Sequence, residues 1–310
     1  MNKTERQEIV YREILRMLMP DNLKSNIAHL DVMLDFYYKI IVNLFNTTFK
    51  YQFQAEMSHS VQMMFTKAKS FRILLDGVSH KSLKPLVDHT ALFTIARSAY
   101  ELLFSFELVY IIPDTDEKRL VMRDAYIAAS AVNRQKIAEN NQAMQNDQLE
   151  KEDKAAIEAC KKEIEKTSFY QRLSNKKRHE LEKHLFDKGD YQFIIDKNGE
   201  TFIHVGWDEI RKYCGLDSDI LNGLYKYLCN MAHPSYMSLV QFMNAYKNGD
   251  IYDMADYATM TMNIILSVFI VDYMHVFPET KCVFESKDED TQFKIRMYCD
   301  YFRGENQKVL

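Results

Sequence analysis

Apolar side chains recur along this chain at helical rather than strand spacing. Between about residues 22 and 47, Ile27, Leu30, Leu34, Tyr37, Ile41 and Leu44 stand three or four apart, the period of one buried helix face. Residues 55–78 continue the pattern and stop at Gly77. Ser82 and Pro85 open a long helix through Leu92, Phe93, Ala96, Tyr100, Leu103 and Leu108 to Pro113. Segments 55–78 and 84–112 are therefore expected as an antiparallel helical hairpin. Ahead of them, Thr4 and Gln7 have the spacing of a capping box, predicting a first helix that ends near Met19 and Pro20. Thr115 before Asp116 and Glu117 supplies an N-cap and an acidic first turn for a helix reaching about Asn140.

The pattern then changes. Residues 146–188 hold eleven basic and ten acidic side chains with sparse apolar positions, read as a solvated helical excursion with alternating signs. Tyr191–Ile195 and Glu200–Val205 flank Asp196-Lys-Asn-Gly199, which predicts a β-hairpin with Asn-Gly in a tight turn, laid on helices because two strands are not stable alone. A short helix from Trp207 closes at Gly215, and Asp217 or Ser218 caps the next, about 219–233, stopped by Pro234. Helices at about 235–247 and 253–277 follow, separated by Gly249, with one more near 291–302. The fold class is all-α: a multi-helix bundle of long antiparallel helices with one small β-hairpin at about 191–205. The expected organisation is N-terminal helices 1–54 packing on a main domain 55–278, which carries the excursion 146–188, then a C-terminal helix and tail 279–310.

Composition sharpens this picture by exclusion. Eight glycines in 310 residues fall far below the roughly 22 that average usage predicts. A sandwich or barrel lacks its turns here, and no G-x-G-x-x-G, G-x-x-x-x-G-K-[ST] or G-x-S-x-G occurs. The net charge of −4 has no single-sign block, so nothing calls for DNA or an anionic membrane, while a small RNA contact needs only a local patch. Five scattered cysteines without C-x-x-C fit reduced thiols. The opening residues carry charges of both signs and no apolar core, so a signal peptide is not expected. The most apolar run, Ile264–Val271, is short for a membrane span and closes at Asp272. A soluble, cytoplasmic protein without a cofactor is the expectation.

Two constellations carry candidate chemistry. In Leu224–Tyr236, Lys226, Asn230 and His233 stand at i, i+4 and i+7, so Lys226 and His233 share a helix face two turns apart. A cation beside an imidazole is what metal-independent RNA cleavage uses: the ring moves a proton at the 2′-oxygen or the leaving oxygen, and the cation stabilises charge on phosphate. The same residues also make an ordinary helix C-terminus, with His-Pro closing it. The second constellation is Arg97 with Glu101, neighbours at i, i+4 in an apolar helix. Such a pair is an architectural anchor or the floor of a polar pocket, with Asn230 and Tyr236 as further polar members. Metal patterns are weaker. His179 and His184 are five apart, about 140° off one face of a regular helix. Glu56 with His59 and Asp272 with His275, joined by Glu101 or Glu107, imitate a di-metal carboxylate bundle. No residue is assigned as a metal ligand.

Arg97-Ser-x-x-Glu101 in a long helix, the later Tyr225-x-x-Leu-x-x-x-x-His233-Pro, and the Trp207 helix before it resemble an uncharacterised bacterial all-helical family, a domain of unknown function. That family is similar in pattern to the HEPN (higher eukaryotes and prokaryotes nucleotide-binding) helical group. The resemblance covers roughly residues 55–275 by element order. Many members of that group are RNases of toxin–antitoxin or antiphage systems with the motif R-x(4–6)-H, acting across a dimer, and others are inactive scaffolds. The resemblance implies a metal-independent endoribonuclease or defence component, with RNA as partner and a homodimer. His233 takes the place of the motif histidine and Lys226, six residues intervening, that of the arginine. Lysine keeps the charge and lacks the bidentate fork of a guanidinium. The alternatives are a non-catalytic helical binding or regulatory module and, second, a carboxylate/His metal-binding bundle.

Overall fold

A computed structural model describes Arg12 and residues 22–45, 49, 52–141, 145–216, 221–248 and 251–303. The first helix expected near Thr4–Met19, the Asp217 or Ser218 cap and Gly249 lie outside the described residues. In chain order come α1 (Leu23–Phe45), α2 (Gln52–Leu74), β1 (Val78–His80), β2 (Leu83–Leu86) and α3 (His89–Phe106). A π-helical turn (Glu107–Ile111), α4 (Asp116–Asn140), α5 (Asp147–Lys166), α6 (Ser168–Arg172) and α7 (Asn175–Glu182) follow. A second π-helical turn (Lys183–Lys188), β3 (Phe193–Ile195), β4 (Phe202–His204) and α8 (Trp207–Tyr213) lead to α9 (Leu224–Ala232). The chain continues with α10 (Tyr236–Asn248), α11 (Ile251–Val276), α12 (Lys281–Glu285) and α13 (Glu289–Arg303). The fold is all-α, with two small antiparallel strand pairs where one hairpin was expected. Two compact units result: Met1–Phe104 with Gly215–Leu310, and Ser105–Cys214.

The first unit is built around α11, which packs against α1 and α13. Among the described residues this is the one helix long and apolar enough to cross a membrane, yet 89% of its apolar window is buried inside the fold, which makes it a core helix. On α1 the buried face holds Leu30, Met33, Tyr37, Ile40 and Leu44, so Ile40 rather than the expected Ile41 points inward. Several polar groups enter this core with partners. Tyr37 donates to the Leu266 carbonyl at 2.7 Å, and Asn26 donates to Asp256 at 2.6 Å. Asp272, fully buried, is held by the Arg303 guanidinium.

The helical hairpin expected over 55–78 and 84–112 takes a different form. Ser82 and Pro85 do not open a helix: Val78 pairs with Leu86 and His80 with Leu83 in a small β-hairpin, and α3 starts at His89. Its true cap is Asp88, whose carboxylate accepts the Ala91 N–H at 3.1 Å and the Thr90 hydroxyl at 2.6 Å. Proline without an N–H suits a strand edge as well as a first helical turn, and local spacing does not separate the two.

In the second unit α4 packs on α5 and on both π-helical turns. Thr115 caps α4 by accepting the Lys118 N–H, and Arg134 holds the buried Asp153 of α5 through its Nε at 2.9–3.0 Å. The charged stretch 146–188 is helical but broken at Thr167 and Ser174, each capping the helix that follows. In the expected hairpin Ile195 pairs with Phe202, so the connection is a loop rather than a tight Asn-Gly turn. Asp196 organises it by accepting the N–H groups of Glu200 at 2.7 Å and Thr201 at 2.8 Å, and only Gly199 takes a positive φ.

Candidate functional site

The described geometry places Arg97, Glu101, Tyr225 and His233 together within the first unit. Arg97 and Glu101 lie one turn apart on α3, and Arg97 Nε donates to Glu101 Oε1 at 3.1 Å. From α9, Tyr225 donates its hydroxyl to the same carboxylate oxygen at 2.9 Å, and its ring stacks on Tyr100 with centroids 5.4 Å apart. The guanidinium carbon of Arg97 lies 5.8 Å from the centre of the Tyr225 ring, in cation–π range. Its Nη1 then reaches His233 Nε2 at 2.8 Å, across 136 positions of sequence.

His233 owes its position to the end of α9. The helix stops at Ala232, and His233 turns extended, with φ −91° and ψ 150°. Its carbonyl accepts the Ser238 hydroxyl at 2.8 Å, while the Ser235 hydroxyl donates to the Asn230 carbonyl at 3.0 Å and accepts the Ser238 N–H at 3.1 Å. The His-Pro-Ser bend is thus tied at both ends and carries an exposed imidazole. A guanidinium has only donors, so Nε2 is the acceptor here and the proton of the neutral ring sits on Nδ1.

Electrostatics favour the charged guanidinium. Partial burial works against it, but hydrogen bonding with Tyr225 and the Glu101 carboxylate raise the Arg97 pKa. Burial, then the hydrogen bond to Glu101, push the Tyr225 phenol well above its usual range, so it stays a neutral donor. Cys229, one turn after Tyr225 on α9, touches the phenol as well. The cluster is only partly buried, with Arg97 and Glu101 side chains 25% and 32% exposed, so a ligand can reach it from solvent.

Other sequence candidates lie differently. Lys226 is exposed and makes no hydrogen bond or ion pair among the described residues, because the helical period that aligned it with His233 ends one residue before the histidine. Asn230 contributes its main-chain carbonyl, and Tyr236 stands 83% exposed beyond the bend. Tyr225 and Cys229 enter the site instead. Their only signal was the i, i+4 spacing of Tyr225 and Cys229, one turn apart on α9. Lys67 of α2 donates to Ser98, next to Arg97, at 2.5 Å and brings a further cation nearby.

Of the metal patterns, His59 faces Gln62 at the surface and Asp272 is committed to Arg303. Among the described residues, the three side chains within ligand distance of one another are His184, Asp190 and His204 of the second unit.

A family model described as Family of unknown function (DUF5677) matches residues 58–251. The chain belongs to this family, which agrees with the resemblance to an uncharacterised family at that level. No curated protein and no solved structure matches the chain.

Proposed function

We propose, with membership of this family as the premise, that the first unit presents a metal-independent endoribonuclease site of HEPN-like type. In this reading His233 moves the proton and Arg97 grips the phosphate. The observation that carries it is the 2.8 Å contact of Arg97 Nη1 with His233 Nε2 at a solvent-reachable surface. The fork that Lys226 lacks is supplied by a residue of another helix. Glu101 and Tyr225 hold the guanidinium in place before substrate arrives, which lowers the ordering cost of binding.

An RNA phosphate competes for the Arg97 donors and releases Nε2. The freed nitrogen takes the proton of the 2′-hydroxyl as its oxygen attacks phosphorus. The P–O5′ bond breaks, and the imidazolium returns the proton to the leaving 5′-oxygen. Charge on the phosphoryl oxygens is met by the planar guanidinium. The products are a 2′,3′-cyclic phosphate and a 5′-hydroxyl. RNA and a second copy of the chain are the partners in this reading, and a cytoplasmic setting goes with it, in keeping with five free cysteines.

The test is cleavage of single-stranded RNA by the purified chain in excess chelator, with end-group analysis. Cleavage is expected, falling about 10²–10⁴-fold in His233→Ala and also in Arg97→Lys, which keeps charge and loses the fork. RNA left intact by the wild type, or cut equally by His233→Ala, removes the reading. The second reading, a non-catalytic helical module, draws on the same bonds: Arg97 and Tyr225 tie α3 to α9. It expects Arg97→Ala to lower the thermal midpoint while no RNA is cut.

A further inference from the structure

We propose that the second unit carries a divalent transition-metal site, of the class zinc represents, formed by His184, Asp190 and His204. This inference is separate from the nuclease reading and uses none of its residues. The ligating atoms of the three side chains all lie within 4.8 Å of one another. His184 Nδ1 stands 3.5 Å from Asp190 Oδ2, and the two imidazole rings face each other with centroids 3.4 Å apart and planes 23° apart.

Local structure delivers these donors to one place. The π-helical turn Lys183–Lys188 carries His184 on a wider turn than an α-helix allows, a feature frequent at functional sites. Gly189 then takes φ +65° and reverses the chain, so that the Asp190 N–H bonds to the His184 carbonyl at 2.9 Å and its carboxylate comes beside the ring. Asn133 of α4 fixes this reversal by donating to the Gly189 carbonyl at 2.8 Å. His204 is the last residue of β4, with Phe202 edge-on to its ring at 5.3 Å.

What points to a ligand is the state of the ring nitrogens. His184 Nδ1 and both nitrogens of His204 are buried and have no hydrogen-bond partner among the described residues. Imidazole nitrogens with no hydrogen-bond partner beside a carboxylate are the donor set of zinc and related ions. A second carboxylate adjoins it: Glu180 Oε1 lies 3.7 Å from His204 Nε2, and Lys177 stands 3.1 Å from Glu180 Oε2. Bonds of 2.0–2.2 Å to a tetrahedral ion put donors about 3.4 Å apart. Capture therefore draws the donors together by about an ångström and splays the stacked rings, within reach of side-chain rotation. Three protein donors leave a fourth position for Glu180 or water.

The test uses the full chain stripped by chelator and titrated with Zn2+ in a calorimeter. One equivalent is expected to bind, with affinity about 10–100-fold lower in His204→Gln and Asp190→Asn, while His179→Gln binds as the wild type does. Co2+ is expected to give the visible bands of a tetrahedral nitrogen–oxygen site. In the wild type, Zn2+ is expected to protect His184 from diethylpyrocarbonate, read by mass spectrometry, so the outcome does not depend on a variant folding. Absence of stoichiometric binding, binding unchanged in both variants, or undiminished labelling of His184 overturns the proposal.

Discussion

At the residue scale, the chemistry of this chain depends on where charge meets burial. Arg97 and Glu101 are legible as a pair because i, i+4 neighbours share a helix face whatever the tertiary fold. That His233 meets Arg97 is not legible, since the approach depends on where α9 ends and on side chains of α9 reaching those of α3. His29 is a different case: nothing in the sequence marks it. Its ring is buried on α1, tilted against Tyr298 at 5.3 Å, and burial followed by the nearby Lys294 lowers its pKa from 6.5 to about 4. The folded state therefore refuses a proton that the unfolded chain accepts between those values. Stability from the neutral ring is whole above about pH 6.5 and is lost as pH falls toward 4, reaching about 3 kcal/mol at that limit. Urea midpoints of the wild type and His29→Phe across this range check it: the variant is expected to lose less stability on acidification. Parallel pH profiles for the two proteins contradict this account.

At the element scale, long helices were readable from periodicity and caps, and boundaries failed where a residue serves two structures equally well. Thr115 before two acidic residues admits one reading, and α4 begins there. Pro85 admits two, and pairing with β1 decided it. The reversal after the second π-helical turn is the least readable element, because wide helical turns leave no periodic trace. The 140° separation argued for His179 and His184 holds for a regular α-helix, whereas His184 sits on a π turn next to a glycine reversal. Gly189 is the point at which that element is vulnerable. At φ +65° an added Cβ is strained, and it would stand 2.7 Å from Asn133 Oδ1, against the side chain that holds the glycine carbonyl. Gly189→Ala is expected to cost roughly 2 kcal/mol, from the left-handed backbone plus a weakened hydrogen bond. A lower denaturation midpoint with an unchanged denaturant slope reports this, and a midpoint like the wild type's denies the strain.

At the scale of the whole molecule, the scarcity of glycine and the helical period identify an all-α fold, but not the division of the chain. A unit assembled from residues before 105 and after 214 depends on contacts between distant segments, which local patterns do not record. The same distance hides what α10 offers to a partner. Ser238 and Ala245 are buried, while Tyr236, Leu239 and Met243, spaced to share one face, are 83%, 64% and 48% exposed. No charged residue interrupts α10 before Lys247. A row of this kind beside His233 suits the self-complementary surface of a two-fold dimer, in which the same strip meets itself. The proposed homodimer therefore rests on α10. Light scattering after gel filtration is expected to give twice the chain mass for the wild type and one chain mass for Leu239→Glu with Met243→Glu, with helicity retained by circular dichroism. A monomeric wild type, or a double variant still dimeric, removes α10 as the contact. If the nuclease site is completed across that contact, as the family resemblance implies, the monomeric variant also loses RNA cleavage while Arg97 and His233 remain intact. Cleavage by the monomer would instead place the whole reaction within one copy.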